Sequence, residues 1–498
     1  MKKKYILALD QGTSSSKALI FNDRGELICQ SSIEFKQIYP RSGWVEHDPE
    51  EIWGSQKQAM REVVQKAEIM PEEIASLGIT NQRETIVIWD RKTGKPVYNA
   101  IVWQCRRTSE LCSKLKKEGT DRIIRQKTGL LVDAYFSAAK IKWILDNVKD
   151  IRKEAERGNI CAGTIDSWLI WKLTRGRIHA TDSSNASRTM LYDIHKLQWD
   201  HELMKIFDIP LQMLPEVKPS SYIYGAAHKD ILGSAIPIAA AAGDQQAALF
   251  GQACYEPGMA KCTYGTGCFL LRNTGEEIVT SNNDLLSTIA WNLDDNVVYA
   301  QEGSIFIAGA AIQWLRDELG IIQRADECDA LAGRVDDSGG VYFVPAFVGL
   351  GAPYWDMYAR GSLFGLTRGT TREHLIRATL EAIAYQVRDV ILAMQKDSDM
   401  PFNTLKVDGG ASASNILMQF QADILGVEVC RPSVMEITAQ GAAFLAGLAS
   451  GVWTGIDDVS KAWKAQRIFK RKMDENKASM LCEGWDRAVG RTLGWLEK

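Results

Sequence analysis

A chain of 498 residues with 46% apolar residues is long enough for at least two domains with substantial cores, and 59 Lys and Arg against 62 Asp and Glu leave a formal net charge of only −3. That balance argues against non-specific nucleic-acid binding. The ten Cys are scattered, with no Cys-x-x-Cys pair and no His/Cys spacing of a zinc site, so neither a metal cluster nor a disulfide framework is expected, and a reduced, cytoplasmic chain is.

The N-terminal Met1-Lys2-Lys3-Lys4 and the apolar Tyr5 to Leu9 imitate a secretory leader, but Asp10 ends the apolar run too early, and the segment reads as a first strand. Tyr5 to Leu9 and Ala18 to Phe21 are short and rich in strand formers, so they predict a β-hairpin whose tip is Asp10-Gln11-Gly12-Thr13-Ser14-Ser15-Ser16-Lys17. Gly12 allows close backbone approach, the hydroxyls of Thr13, Ser14 and Ser15 can donate to phosphate oxygens, Lys17 adds positive charge, and Asp10 offers a hard oxygen for magnesium. Taken alone, this tip reads equally as a phosphate cradle or as an ordinary solvated turn. An acidic, Pro-containing first turn at Asp48-Pro49-Glu50-Glu51 predicts a helix to about Lys66. Leu77 to Thr80 and Thr85 to Trp89 read as strands around the polar break Asn81-Gln82-Arg83-Glu84. Arg83 beside Glu84 is either an exposed ion pair on a loop or a donor and an acceptor for a polyol.

Asn185-Ala186-Ser187 is a formal glycosylation sequon, expected to be silent without a secretory route. The richest apolar run, Ile236 to Phe250, is broken by Gly243 and Asp244, so no segment is expected to cross a bilayer. Asp244 precedes a helical-looking stretch and reads first as an N-cap. Lys261 to Arg272 then repeats the strand, Gly-Thr turn and strand of the first hairpin through Tyr264-Gly265-Thr266-Gly267. Two such hairpins predict an internally duplicated chain whose halves present polar turns to one cleft, with room for a polyphosphate nucleotide. The boundary is expected between Gly251 and Gly258, giving domains 1–252 and 253–498. Gly303 to Trp314 looks like a small-residue helix face. Thr371 to Gln395 has helical spacing, and Ser414 to Leu425 opens another helix directly after Asp408-Gly409-Gly410-Ala411.

Together these motifs, with Tyr135-Phe136-Ser137-Ala138-Ala139-Lys140 and the residues that follow to Asn147, Ser187-Arg188-Thr189-Met190-Leu191 and Gly243-Asp244-Gln245-Gln246, resemble the glycerol kinases of the FGGY carbohydrate kinase family over essentially the whole chain. The hairpins and the Asp-Gly-Gly turn are common to the superfamily and speak only for ATP, whereas Arg83-Glu84 with the Tyr135 segment speaks for glycerol. The resemblance implies an α/β fold of two duplicated actin-like, ribonuclease-H-like ATPase domains around a central cleft. It implies ATP-dependent phosphorylation of glycerol to sn-glycerol 3-phosphate, the first step of glycerol catabolism, with ATP/ADP and Mg2+ as cofactors.

By the same resemblance Asp244 accepts the proton of the attacking hydroxyl. A carboxylate is too weak a base to ionise an alcohol beforehand, so its work is mostly orientation. Arg83, Glu84, Asp244 and Gln245 are expected to hold hydroxyls, with Tyr135 helping and Trp103 and Phe269 covering the carbon chain; for the aromatics, core packing is the rival reading. Thr13, Ser14, Ser15, Lys17, Thr266, Gly309 and Gln313 are assigned to the phosphate side, Gly410, Ala411 and Asn415 to the adenosine, and Asp10 to magnesium. Relatives carry Arg or Lys at the Lys17 position, and they assemble as dimers or tetramers, so a homodimer or homotetramer is expected.

Some bacterial relatives bind fructose 1,6-bisphosphate through a Gly-rich loop with an Arg. Here Tyr224-Gly225-Ala226-Ala227-His228-Lys229-Asp230-Ile231-Leu232-Gly233 has neither, and a solvated surface residue is the expectation for His228. The competing functions are a kinase of the same family acting on xylulose or gluconate, an actin-like or chaperone-like ATPase, and a degenerate kinase kept for binding.

Overall fold

Thirteen strands share the largest sheet of the computed structural model, which describes residues 4–294 and 296–496. Within that sheet one arrangement occurs twice. Tyr5–Gln11, Ser15–Asn22 and Leu27–Glu34 form an antiparallel meander, Ile74–Asn81 runs parallel to Tyr5–Gln11, and Pro237–Gly243 runs parallel to Ile74–Asn81. In the second half, Ala260–Tyr264, Cys268–Gly275 and Asn296–Ile305 take the same three antiparallel places, with Leu286–Leu293 intervening in the chain, Thr404–Asp408 is parallel to Ala260–Tyr264, and Glu428–Pro432 is parallel to Thr404–Asp408. The likeness of the two hairpins thus extends to five strands. The halves join through Ser221–Ala226, which is antiparallel to Pro237–Gly243 and meets Leu286–Leu293 through the pair Ser221 and Leu293.

Burial follows from each strand's place in this sheet. Tyr5–Gln11 and Ile74–Asn81 have neighbours on both sides and helices above and below, so their apolar residues are buried almost without interruption. Leu27–Glu34 is an edge strand and is largely exposed, with polar side chains along it. The helix Pro49–Lys66 begins where its sequence demands: Asp48 accepts the Glu50 N–H at 2.8 Å, and Pro49 occupies the first turn. It covers the first hairpin with Ile52, Ala59, Met60 and Val63, and Gln56 donates to the Lys17 carbonyl at 2.9 Å.

The expected helices at 371–395 and 414–425 are Arg372–Asp397 and Asn415–Leu425, the latter capped by the Ser414 hydroxyl. One expectation needs correction. Gly303, Ser304 and Ile305 finish the strand Asn296–Ile305, and the helix begins only at Gly309. The strand formers Val297, Val298 and Tyr299 and the pairing of Gly303 with Leu270 carry the ladder past the small residues. Gly303 is small because a Cβ there would lie 2.3 Å from Val390.

Each repeat ends with a helix after its last parallel strand, Asp244–Gly251 in the first and Ile437–Ala449 in the second. The two helices pack on each other, and one core cluster unites Ile6, Ala240, Leu271, Trp291 and Phe444 from both repeats. Contact is so close that a Cβ on Gly441 would sit 1.8 Å from the Ala247 carbonyl oxygen. Gly441→Ala therefore forces the helices apart, and a loss of about 1–3 kcal/mol or more is expected in denaturant unfolding.

The long helix Arg372–Asp397 buries Asp389, which accepts from Trp485 Nε1 at 2.7 Å and from the Tyr354 hydroxyl at 2.8 Å. Burial lifts its carboxyl from 3.8 to about 7 despite these two donors. A carboxyl raised on folding contributes its stability below the unfolded value, and that contribution is lost as pH climbs to about 7. Asp389→Asn should remove this dependence. The melting temperature of the wild type relative to the variant is expected to fall between pH 4 and pH 7 and then level off.

Candidate active site

Register brings the polar segments together. Asp10 pairs with Thr80, Gln11 with Asn81, and Gly243 with Asn81, so three parallel strands release their carboxyl ends at one edge of the sheet, where α/β folds collect ligands. Two clamps hold those ends. Asn81 and Asn185 exchange amide hydrogen bonds at 3.0 and 3.1 Å, and the Gly243 N–H donates to Ser184 Oγ at 3.0 Å.

Arg83 and Glu84 emerge from this edge fully buried, which excludes the exposed loop pair. Arg83 makes a fork to Glu302, Nη1 to Oε2 at 2.6 Å and Nη2 to Oε1 at 3.0 Å. Arg188 donates to Glu302 at 2.9 Å and to Glu84 at 2.7 Å, closing a set of two cations and two anions with no exposed charge. Burial alone would raise the Glu302 carboxyl, but Arg188 and Arg83 hold it down at about 2. For Glu84, burial outweighs the same two arginines and the carboxyl is raised. Glu84 sits at φ 59°, a left-handed backbone that a bulky side chain adopts only under constraint. The constraint includes Lys140, a buried ammonium that donates to the carbonyls of Glu84, Tyr135 and Phe136.

Asp244 is the first residue of its helix, with Gly243 as the cap. Its Oδ1 accepts the Gln245 N–H at 2.8 Å and lies 3.3 Å from Arg83 Nε, and 31% of the side chain stays accessible. The helix N-terminus favours its negative charge. Tyr135 reaches the same group, its hydroxyl 3.4 Å from Arg83 Nη2. Trp103 meets Tyr135 edge-on at 5.6 Å and Phe269 at 6.4 Å, and its indole N–H donates to Thr13 Oγ1 at 2.9 Å. Arg83, Glu84, Trp103, Tyr135, Asp244, Gln245 and Phe269 therefore form one linked cluster, and Thr13 ties it to the first hairpin.

Around that hairpin Ser14 is exposed and Thr13, Ser15 and Lys17 are half-buried. Lys17 Nζ is 2.8 Å from Glu436 Oε2, a partner from the other repeat. Burial, with Glu436 and Asp244 nearby, lifts the Asp10 carboxyl to about 7 against the pull of Lys17. In the second hairpin Thr266 is exposed, while its carbonyl accepts from the N–H groups of Ala308 and Ala310, so Gly309 begins its helix directly against the turn. Gln313 is exposed one turn further along.

Gly409 takes φ 85°, and a Cβ there would strike the Tyr264 backbone at 2.6 Å, which seats the Asp408-Gly409-Gly410 turn on the second hairpin. Past it, Gly410 and Asn415 are exposed and Ala411 is half-buried. Arg431 braces the segment by donating to the carbonyls of Ser412 and Ala413 and to Asn415 Oδ1. The His228 loop lies elsewhere, around the short helix Lys229–Leu232, with Asp230 paired to Arg175.

Glu302, Arg188, Lys140, Lys261 and Glu436 had no role in the sequence reading. A signal existed for some of them. Arg188 and Lys140 sit inside motifs, and Glu302 is a charge within an apolar strand.

Profiles of the FGGY family of carbohydrate kinases match residues 5–251 with the N-terminal domain and 260–450 with the C-terminal domain. A glycerol kinase of a Thermoanaerobacter species is 62% identical over 495 residues, covering 99% of this chain and all of its own. The crystal structure of Plasmodium falciparum glycerol kinase with ADP superposes with a TM-score of 0.92 at 39% identity, covering 99% of each chain. A ligand-bound xylulose kinase from Lactobacillus acidophilus, 21% identical, has a TM-score of 0.87 over 98% of this chain and 97% of its own, a likeness of fold.

Proposed function

The chain belongs to the FGGY family of carbohydrate kinases, and on that premise we propose that it transfers the γ-phosphoryl group of ATP to glycerol, giving ADP and sn-glycerol 3-phosphate. The observation that carries this reading is the buried Arg83, Glu84, Arg188 and Glu302 set with the accessible Asp244 beside it. A charge-neutral polar lattice of this kind offers fixed donors and acceptors to a small polyol. The aromatic wall of Trp103, Tyr135 and Phe269 suits its carbon chain.

In the proposed reaction a terminal hydroxyl of glycerol rests against Asp244, with Arg83, Glu84, Gln245 and Tyr135 holding the hydroxyl groups. The hydroxyl oxygen bonds to the γ-phosphorus as the bond from that phosphorus to the departing ADP oxygen breaks. The hydroxyl proton passes to Asp244 and then to solvent. Because this transition state is loose, orientation of the alcohol and neutralisation of phosphate charge do most of the work. Arg83 Nε, 3.3 Å from Asp244 Oδ1, keeps the carboxylate aimed.

The hydroxyls of Thr13, Ser14, Ser15 and Thr266 face the phosphates, and Lys17 exchanges part of its pairing with Glu436 for them. Gly309 and Gln313 border the same tail, and Gly410, Ala411 and Asn415 border the adenosine. Asp10 fits a magnesium ligand: burial, with Glu436 and Asp244 nearby, raises its carboxyl against the pull of Lys17, a further cation would offset that, and such an ion is commonly bound by one carboxylate with substrate phosphates. Bound there, magnesium would neutralise charge on the phosphate oxygens. The division into 1–252 and 253–498 gives the polyol and nucleotide sides of a cleft whose closure keeps water from the phosphoryl group. The same reading carries a cytoplasmic location and assembly as a homodimer or homotetramer.

Glycerol-dependent ADP formation by the purified chain tests the proposal. ADP release independent of glycerol, or dependent on xylulose or gluconate instead, would sink it.

A further inference from the structure

Lys261 lies on the strand Ala260–Tyr264 with no accessible surface. Its ammonium donates to three acceptors: the Gln245 amide oxygen, Thr263 Oγ1 at 2.9 Å and the Phe269 carbonyl at 3.4 Å. Thr263 in turn hydrogen-bonds the Asp408 carboxylate. Gln245 belongs to the first repeat and the other partners to the second, so this one ammonium joins the halves at the wall of the polyol cluster.

The chemistry of the pair fixes a direction. A lysine ammonium has donors only, so it takes the oxygen of Gln245 and leaves the amide NH2 turned away from itself. Most other guanidinium donors in the cluster are committed, and Arg188 Nη1, which has no partner among the described residues, is itself buried. The shortest bonds of Arg83 go to Glu302, and those of Arg188 to Glu84 and Glu302, while the carboxylate oxygens of Glu84 and Asp244 serve as acceptors. A substrate hydroxyl that donates its hydrogen bond to one of these carboxylates still has lone pairs that take a donor, and the NH2 of Gln245 supplies one.

Resting on the glycerol reading above, we propose that Lys261 is a positioning residue that locks the Gln245 amide with its NH2 presented to a substrate hydroxyl, and so helps set the preference for a polyol. The rival is a plain structural lysine that balances Asp408.

A double-mutant cycle on glycerol-dependent ADP formation separates the two. Lys261→Met should raise the KM for glycerol about tenfold, the worth of one hydrogen bond, with a smaller change in kcat and in the KM for ATP. Gln245→Ala should raise it similarly, and adding Lys261→Met to Gln245→Ala should cost little more. Additive effects in the cycle overturn the proposal. If Lys261→Met does not fold, Lys261→Arg decides: it keeps the charge that balances Asp408 but cannot place its donor on the Gln245 oxygen in the same geometry, so a raised KM at an undiminished melting temperature supports the proposal and an unchanged KM overturns it. A wild type without glycerol-dependent ADP release overturns the function and this proposal together, whereas additivity in an active enzyme overturns the proposal alone.

Discussion

Asp244→Asn is expected to lower kcat by about 10²-fold or more while the KM for glycerol moves far less. The substitution is nearly isosteric. An asparagine oxygen still accepts the Gln245 N–H and still faces Arg83 Nε, so the helix start and the cluster beside it keep their geometry. In the proposed reaction, what disappears is the group that takes the hydroxyl proton as the bond to phosphorus forms. An amide cannot accept that proton, so the loss falls on the chemical step rather than on binding. Steady-state kinetics with coupled ADP detection reads both constants. An unchanged kcat removes Asp244 from the chemistry, and a rise confined to KM makes it a binding residue.

Local signals in the sequence were enough for the elements that support the site. The hairpin at Asp10 to Lys17 follows from two strand-forming runs around a Gly turn, and the helix starts at Asp48 and Ser414 follow from side chains that satisfy free N–H groups. All three depend on neighbours within a few residues. The partner of Arg83 depends on nothing local: Glu302 is 219 residues away, and it meets Arg83 only because both repeats face one cleft. Register also explains the boundary misread at Gly303 to Trp314. Pairing with Cys268–Gly275 decides where that strand ends, and small-residue composition is silent about it. Lys17 is a similar case. Its positive charge was legible, but its partner Glu436 comes from beyond the second hairpin and is visible only once the fold is closed.

Arg83→Ala should do two things that its sequence context alone would not join. It should raise the KM for glycerol and leave ATP affinity nearly intact, because in the proposed reaction Arg83 holds substrate hydroxyls and other residues hold the nucleotide. It should also cost stability, on the order of 3–5 kcal/mol, because removing one partner of a buried ion pair strands the other. Without Arg83, Glu302 keeps its bond to Arg188 and a long one from the Ser304 hydroxyl at 3.5 Å, and the buried set carries two carboxylates against one guanidinium. Denaturant unfolding without ligands measures the second effect by itself. A paired change separates them: Arg83→Met with Glu302→Gln removes one charge of each sign, so Arg188 and Glu84 remain as a neutral pair. Much of the stability should return in the double variant, since replacing a buried pair is far cheaper than breaking it. Glycerol binding should stay weak, because the group proposed to hold a hydroxyl is still absent. If Arg83→Ala unfolds like the wild type, Glu302 has found another partner or a proton, and the charge-neutral lattice is not what shapes this end of the cleft.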